Sequence, residues 1–423
     1  MIIYCEKLFN DLNRLAVSPD GEIRLIQELA ARISELAHAK KMTAIKKRWR
    51  DVLALRKADR PPVWCNPVGC WNELLPENSL VCKNENCRNL EIFFKKLLIK
   101  NEIGDDTPIN DYYMLNSAVD VSPSNIWGLD IHREELGEQG SAWRYHAVLK
   151  SAADFDKLVI PRYKINSNAT DALRIEFSRI LGNSMPVKVS PISGYYAGAT
   201  VCYPAAELRG LEQLMMDMIE SPELVHKLME IICQGEMSKL DAIIEAGNII
   251  PNNDGAMFLS DPLRENHSGT YDLNACWIHG NSQEFDLIRP EMFNEFLLEY
   301  QKKLFARFGA VCYGCCENLT HKLDYVLSIP NLRLLTCSGW TDLPELVKKT
   351  GNRCCIMWRH KASEVVCPDG MDDFKKKIFE QAEILKESHY QVVLRELQTL
   401  MGHHRRLEEW TQLSIAAVEK FCS

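Results

Sequence analysis

The sequence predicts an α/β fold, and in particular a (β/α)8 TIM barrel, because strand-like runs alternate with helical segments along most of its length. Eight short apolar runs predict strands, at residues 63–65, 187–189, 249–250, 275–278, 310–312, 332–337, 354–358 and 392–394. Helical patterns lie between several of them, at residues 208–219, 222–244, 292–307 and 372–386. Alternation of strand and helix is typical of a parallel sheet, and eight such units favour a closed barrel.

The first 58 residues predict a helical N-terminal subdomain. Ile23, Ile26, Leu29 and Ile33 recur at the spacing of one helix face, among many charged residues. The sequence Arg60-Pro61-Pro62 ends this pattern, because proline does not continue a helix.

The barrel is therefore predicted to span residues 59–423. Residues 70–185 are predicted to form a long insertion after the first strand, since they lack a clear strand and helix alternation. Their content of Pro, Asn and Asp favours a loop-rich cap over the barrel mouth.

Composition restricts the class of protein. The 423 residues are 46% hydrophobic and 26% charged with a net charge of -8, which favours a soluble protein without nucleic-acid partners. No signal-peptide pattern opens the sequence and no run of about 18 apolar residues is present, so we expect a cytoplasmic protein without membrane contact. The sixteen cysteines are then expected to be reduced thiols.

The predicted strand at 310–312 is followed by Tyr313-Gly314-Cys315-Cys316-Glu317. Two thiols and a carboxylate directly after a buried strand are not explained by packing alone, because the carboxylate needs solvent, a partner or a metal. Other predicted strands also end in polar residues, among them Asn253, Asp254, Gln283, Glu284, Cys337 and His360. In a barrel, such residues converge on one mouth.

Thiolate and imidazole are preferred zinc ligands, and a catalytic zinc site needs three protein ligands and one open position. The candidate ligands are Cys315 or Cys316, Cys337 and His360. The alternative for Cys337 is a buried thiol, and for His360 it is a surface histidine. Because the candidates lie on separate strands, their spacing has no regular interval that would decide between these interpretations.

Two helical segments, residues 208–217 and 222–229, form a sequence signature. This signature resembles that of the uroporphyrinogen decarboxylase superfamily. The methyltransferase-like branch, which includes corrinoid-dependent methyltransferases and O-demethylase components, is resembled more narrowly by four motifs. These are Asn252-Asn253-Asp254-Gly255, Ser282-Gln283-Glu284-Phe285, Pro290-Glu291-Met292-Phe293 and Tyr313-Gly314-Cys315-Cys316-Glu317. The resemblance extends from about residue 60 to the end and implies a (β/α)8 barrel.

The resemblance also implies a zinc site. Thiol-methylating members bind the metal with a His-x-Cys pair at this strand end, whereas the present chain has Tyr313-Gly314-Cys315. Cys316, Glu317, Cys337 or His360 would supply the missing ligand. Porphyrinogen decarboxylation itself is not expected, because Trp64-Cys65-Asn66-Pro67 lacks the arginines that hold the substrate carboxylates in that enzyme.

The expected activity is transfer of a methyl group from a small O- or N-methyl donor to the cobalt of a separate corrinoid protein, with zinc as a Lewis acid. Glu317, Glu284 or Asp254 would protonate or orient the leaving group, and Asn253, Gln283 and Tyr313 would bind the donor. Two alternatives remain open. One is a methyl-corrinoid to thiol methyltransferase, and the other is a non-catalytic barrel that binds metal or corrinoid. Homo-oligomer formation is also left open.

Overall fold

The computed structural model describes residues 4–135, 143–264, 269–367 and 371–422. Its α-helices are α1 Glu6–Asn13, α2 Pro19–His38, α3 Lys40–Leu53, α4 Trp71–Leu74, α5 Glu85–Ile103, α6 Ser167–Leu181, α7 Cys202–Arg209, α8 Leu211–Glu220, α9 Pro222–Ala246, α10 Pro290–Phe293, α11 Glu299–Phe305, α12 Leu323–Val326, α13 Leu343–Thr350, α14 Ala362–Val366, α15 Met371–Leu385 and α16 Arg406–Lys420. Its strands are β1 Val63–Cys65, β2 Tyr113–Asn116, β3 Val119–Ser122, β4 His132–Glu135, β5 Trp143–His146, β6 Arg162–Ile165, β7 Val187–Ser190, β8 Trp277–Gly280, β9 Ala310–Tyr313, β10 Leu332–Cys337, β11 Cys355–His360 and β12 Tyr390–Leu394.

Six strands form one parallel sheet in the order β1-β12-β11-β10-β9-β8, which confirms the predicted α/β class. The predicted strand at 187–189 is observed as β7, but it pairs with β2 outside this sheet. Residues 249–250 form no strand, and Ile249 makes only one antiparallel bridge, to Tyr271. Asn248 has a positive φ of 53° and Pro251 has no N–H, so the ladder cannot extend on either side. A closed eight-stranded barrel is therefore not confirmed.

Side chains satisfy the backbone at both edges of the sheet. At the β1 edge, the N–H of Val63 donates to Asp106 Oδ2 at 2.8 Å and the N–H of Cys65 donates to Asp105 Oδ2 at 2.9 Å. At the β8 edge, the Asn252 amide accepts from the N–H of Trp277 at 2.8 Å and donates to its C=O at 3.1 Å. These contacts satisfy peptide groups that have no neighbouring strand.

The two faces of the sheet pack into separate clusters. Alternate residues point to opposite faces of a strand. Trp277, Cys312, Leu334, Met357 and Val393 belong to an inner cluster with Phe258. Their sequence neighbours Ile278, Val311, Leu335, Ile356 and Val392 belong to the larger core that includes the helices. Alternation therefore decides which strand residues can approach the inside of the sheet.

The predicted N-terminal region contains α1, α2 and α3, which lie within residues 4–58; residues 1–3 are outside the described part of the chain. The buried Arg48 of α3 binds Asp106 through Nη1 at 2.5 Å, so α3 is tied to the segment that satisfies β1. Residues 70–185 hold the long helix α5 and helix α6 besides short strands, and α2 packs against both helices. The described part of this region is thus more helical than a loop-rich cap; residues 136–142 within it are outside the described part. Among the described helices, none is long and apolar enough to span a membrane.

Candidate functional site

Gly314 redirects the chain at the end of β9. It has a φ of +102°, and a Cβ at this position would lie 2.4 Å from the backbone oxygen of Thr336. A residue with a side chain therefore does not fit without a shift of the backbone. Tyr313 points into the core beside the helices, where its hydroxyl donates to Gln301 Oε1 at 3.0 Å. After the turn, Cys315 lies at the carboxyl-end face of the sheet, which we call the mouth.

Two thiols, a carboxylate and a guanidinium meet at the mouth. The Sγ atoms of Cys315 and Cys316 are 3.5 Å apart, and Cys316 Sγ lies 3.4 Å from Glu396 Oε1. The Nη1 atom of Arg359 donates to Glu396 Oε1 at 2.8 Å and lies 3.7 Å from Cys315 Sγ. Arg359 comes from β11 and Glu396 from the loop after β12, so the parallel sheet brings distant parts of the chain together.

This arrangement separates the acidities of the two thiols. The hydrogen bond from Cys316, together with the positive charge of Arg359, lowers the pKa of Cys315 to about 6. The same hydrogen bond, together with burial, raises the pKa of Cys316. A thiolate is the reactive and metal-binding form of cysteine, so Cys315 is the cysteine of this pair that is ionised and reactive near neutral pH.

Glu317 holds the loop that carries these thiols. Its Oε2 atom accepts from the N–H of Cys315 at 2.9 Å, and its Oε1 atom accepts from the N–H of Ser282 at 2.7 Å. The side chain is 2% exposed, and burial raises its pKa. Since backbone donors occupy both oxygens, the geometry assigns Glu317 to positioning of the loop.

His279 contributes a neutral imidazole on the inner face. Its Nε2 atom lies 2.9 Å from the carbonyl oxygen of Gly314, which can only accept, so Nε2 carries the proton. Burial, together with the charges of Arg359 and Arg395, lowers the pKa of His279 to about 3. Its Nδ1 atom is buried and makes no hydrogen bond to any described group. That nitrogen presents a free lone pair.

Arg395 and Tyr195 lie beside the imidazole. The Tyr195 ring centroid is 4.3 Å from that of His279, and the guanidinium carbon of Arg395 is 5.6 Å from the Tyr195 centroid. Arg395 makes no ion pair with a carboxylate among the described residues, and its buried Nε atom has no hydrogen-bond partner there. The inner side of the mouth is consequently positively charged.

The four predicted zinc ligands are not all brought together. Cys315 and Cys316 are adjacent at the mouth, but Cys337 and His360 belong to the core on the outer face. His360 Nδ1 accepts from the indole N–H of Trp410 at 3.0 Å, and burial lowers the pKa of the imidazole to about 3. The physical reason is strand alternation, which points Arg359 inward and His360 outward. His360 is therefore buried, not the surface residue that the alternative interpretation expected.

The other predicted residues have separate partners. Glu284 Oε2 accepts from the thiol of Cys202 at 3.0 Å, and the side chain of Gln283 is exposed. Asn253 donates to the backbone oxygen of Ser260 at 3.2 Å. Asp254 accepts a hydrogen bond from the Tyr112 hydroxyl. In these contacts, none of these four residues is joined to the Cys315 and Cys316 thiols.

Some residues at predicted strand ends, for which the sequence predicted no role, prove central to the geometry of the mouth. These residues are Arg359, Arg395, Glu396 and His279. Each follows or closes a predicted strand, and this position is the sequence feature that could have identified them. A cavity of about 290 Å³, lined by Arg60, Asn352 and His389 among others, lies at the opposite, amino-terminal ends of the strands and is not part of the mouth.

Comparison with known proteins supports the fold description. No family model matches the sequence, and no curated protein is similar to it. Among solved structures, a methyltransferase from Methanosarcina mazei is similar with a TM-score of 0.51. The similarity covers 90% of this chain and 99% of that chain at 14% sequence identity. At this level of identity the likeness concerns the fold, so the chain is an α/β protein with the fold of that methyltransferase.

Proposed function

We propose that this protein is a methyltransferase that moves a methyl group from a small O- or N-methyl donor to the cobalt of a corrinoid carried by a separate protein. The observation that carries the proposal is the pair of thiols, Cys315 and Cys316, 3.5 Å apart beside Arg359 at the carboxyl ends of a parallel sheet. Active sites of α/β proteins occupy this edge. The fold likeness to a methyltransferase and the motif resemblance support the same reaction class.

Zinc is part of the proposal because thiolates and carboxylates are zinc ligands. Cys315, Cys316 and Glu396 would hold it, since successive donor atoms are 3.5 Å and 3.4 Å apart. Among the described residues, no group of three His, Cys, Asp or Glu side chains is arranged to hold a metal ion, and Arg359 binds Glu396. The donor chemistry fits zinc if Glu396 is released from Arg359, whose guanidinium would stay beside Cys315. When bound, zinc would polarise the heteroatom of the methyl donor as a Lewis acid.

The residues of the chain supply the remaining functions. Cys316 and Arg359 keep Cys315 as a thiolate, and Glu317 fixes the loop that carries it. The Nδ1 lone pair of His279 can accept a hydrogen bond from the bound methyl-donor substrate, because the imidazole is neutral. In this proposal Glu317 positions the loop and does not itself protonate or orient the leaving group.

The corrinoid partner would dock at the mouth, where cobalt must reach the methyl carbon. Trp340, in the loop after β10, is 68% exposed, and Lys361 Nζ lies 3.9 Å from its ring centroid. An exposed tryptophan beside the site is typical of protein interfaces. This surface supports a protein partner.

Two measurements test the proposal. The zinc content of the purified wild-type protein should be near one equivalent, and Cys315→Ala and Cys316→Ala should lose it. Cys367→Ala is the matched control, because Cys367 is an exposed thiol outside the mouth. Absence of zinc from the wild type, with no change in either variant, would exclude the zinc site.

The second measurement follows the absorption spectrum of cob(I)alamin during incubation with methoxy-aromatic compounds and methylamines. Formation of methylcobalamin that depends on Cys315 supports the proposed direction of transfer. Methylation of a thiol by methylcobalamin, without the forward reaction, would replace the proposal with the thiol methyltransferase.

A further inference from the structure

We propose that the mouth binds a carboxylate, held between Arg359 and Arg395, so that the methyl donor is a methylated carboxylic acid. This inference rests on the proposed function for the identity of the ligand as a methyl donor. The binding of a carboxylate is a separate property of the site.

The first argument is the incomplete hydrogen bonding of Arg359. Its side chain is 1% exposed, and only Nη1 is engaged, with Glu396 and Cys315. The Nε and Nη2 atoms are buried and make no hydrogen bond to any described group. Together these two nitrogens form one edge of the planar guanidinium, the edge that binds a carboxylate through two parallel hydrogen bonds.

The second argument is the position of Arg395. Arg359 is in register with Val393 of β12, and Arg395 follows two residues later on the same side of the chain. Its buried Nε atom has no partner, and within the described ranges its charge is not paired with a carboxylate. The register therefore places two arginines with unsatisfied donors on the same face of neighbouring strands. Glu396 and the Cys315 thiolate compensate the charge of Arg359, whereas Arg395 makes no ion pair among the described residues.

The third argument concerns the surroundings. His279 is neutral and adds no competing charge, while its Nδ1 atom can accept from a hydroxyl or ammonium group of the ligand. Tyr195 stacks on Phe258 with ring centroids 5.4 Å apart, and Phe258 stacks on Trp277 at 5.3 Å. An aromatic wall beside two arginines suits a small organic acid better than an inorganic anion, since it offers apolar contact as well as charge.

Binding is tested by calorimetry on the full-length protein, without corrinoid. The carboxylate probes are 4-methoxybenzoate and glycine betaine; the other probes are methoxybenzene and phenyl phosphate. We expect at least one carboxylate probe to bind more tightly than both methoxybenzene and phenyl phosphate, by about tenfold or more. The variant Arg395→Met should weaken that binding by about tenfold or more, and Arg395→Lys by less, because lysine keeps the charge but lacks the planar fork.

Arg174→Met is the matched control, because Arg174 is an exposed arginine of α6 that pairs with Asp171. It should bind the carboxylate as the wild type does. Arg359→Met should behave as Arg395→Met does. If the buried substitution Arg359→Met prevents folding, the binding measured for Arg395→Met still tests the proposal, because Arg395 is only half-buried. Equal binding of methoxybenzene, preference for phenyl phosphate, no binding of either carboxylate, or unchanged binding by Arg395→Met would overturn the proposal.

The outcome is separable from that of the proposed function. Carboxylate binding that depends on Arg395, without any methylcobalamin formation, would support the carboxylate site and contradict the methyltransferase activity. Methyl transfer from neutral donors alone, without carboxylate binding, would support the methyltransferase activity and contradict the carboxylate site.

Discussion

The Sγ atom of Cys315 lies 3.5 Å from the Sγ atom of Cys316, in a chain turn that the positive φ of Gly314 creates. A hydrogen bond from the Cys316 thiol and the charge of the Arg359 guanidinium both lower the pKa of Cys315.

Reactivity of Cys315 should depend on pH with a midpoint near 6. Hydrogen bonding from Cys316 and the charge of Arg359 lower its pKa from 9.0 to about 6, so the thiolate predominates above that pH and the thiol below it. The rate of alkylation by iodoacetamide, resolved by peptide mass spectrometry in the presence of a chelator, measures the midpoint. Cys316→Ala should raise the midpoint, whereas Cys316→Ser retains a donor and should raise it less. A wild-type midpoint near 9 would contradict the geometry.

Gly314→Ala should destabilise the protein strongly. Its Cβ would meet the backbone oxygen of Thr336 at 2.4 Å, and its φ is +102°, so strain and clash add to about 2–4 kcal/mol. Gly351→Ala separates these causes, because Gly351 also has a positive φ but has open space around it, and should cost about 1 kcal/mol. Chemical unfolding measures both variants. Equal losses would show that the contact with Thr336 has no effect.

Asn252→Ala should weaken the β8 edge. The substitution leaves the buried N–H and C=O of Trp277 without these partners, which costs about 2–4 kcal/mol in the free energy of unfolding. Asn253→Ala is the neighbouring control, because Asn253 contacts only loop carbonyls, and we expect a loss below about 1 kcal/mol. Amide exchange at Trp277 should increase in Asn252→Ala alone. If both variants lose the same stability, the two hydrogen bonds from Asn252 to the Trp277 backbone do not contribute the predicted stabilisation.

His360 should make the protein less stable in acid. Its folded pKa is lowered to about 3 from 6.5 by burial, so between these values the unfolded chain binds more protons. Stability from this residue is complete above pH 6.5 and decreases as pH falls, by about 2 kcal/mol at pH 5. His360→Gln should reduce the difference in unfolding free energy between pH 7 and pH 5. The exposed His38 provides the control variant His38→Gln, which should keep the wild-type difference. An unchanged difference in His360→Gln would indicate that the imidazole is accessible to protons.

Periodicity predicted most of the sheet. Seven of the eight predicted strands coincide with β1, β7, β8, β9, β10, β11 and β12, because each is a short apolar run between turn residues. The eighth prediction, at 249–250, was wrong since Asn248 and Pro251 prevent a ladder. Partners of β7 could not be inferred, because strand pairing depends on contacts between residues that are distant in sequence.

Residue types and their spacing were sufficient to predict the α/β class, the ends of most strands and the importance of the Cys315-Cys316-Glu317 stretch. Which other polar residues lie beside that stretch depends on the packing of the strands. Every strand residue of β11 is buried, so burial does not distinguish Arg359 from His360. Their faces follow from pairing with β10 and β12, and these contacts place Arg359 beside Cys315 and His360 beside Trp410. The residue type determines what chemistry a side chain can perform, whereas the neighbours of that side chain depend on packing between residues that are distant in sequence.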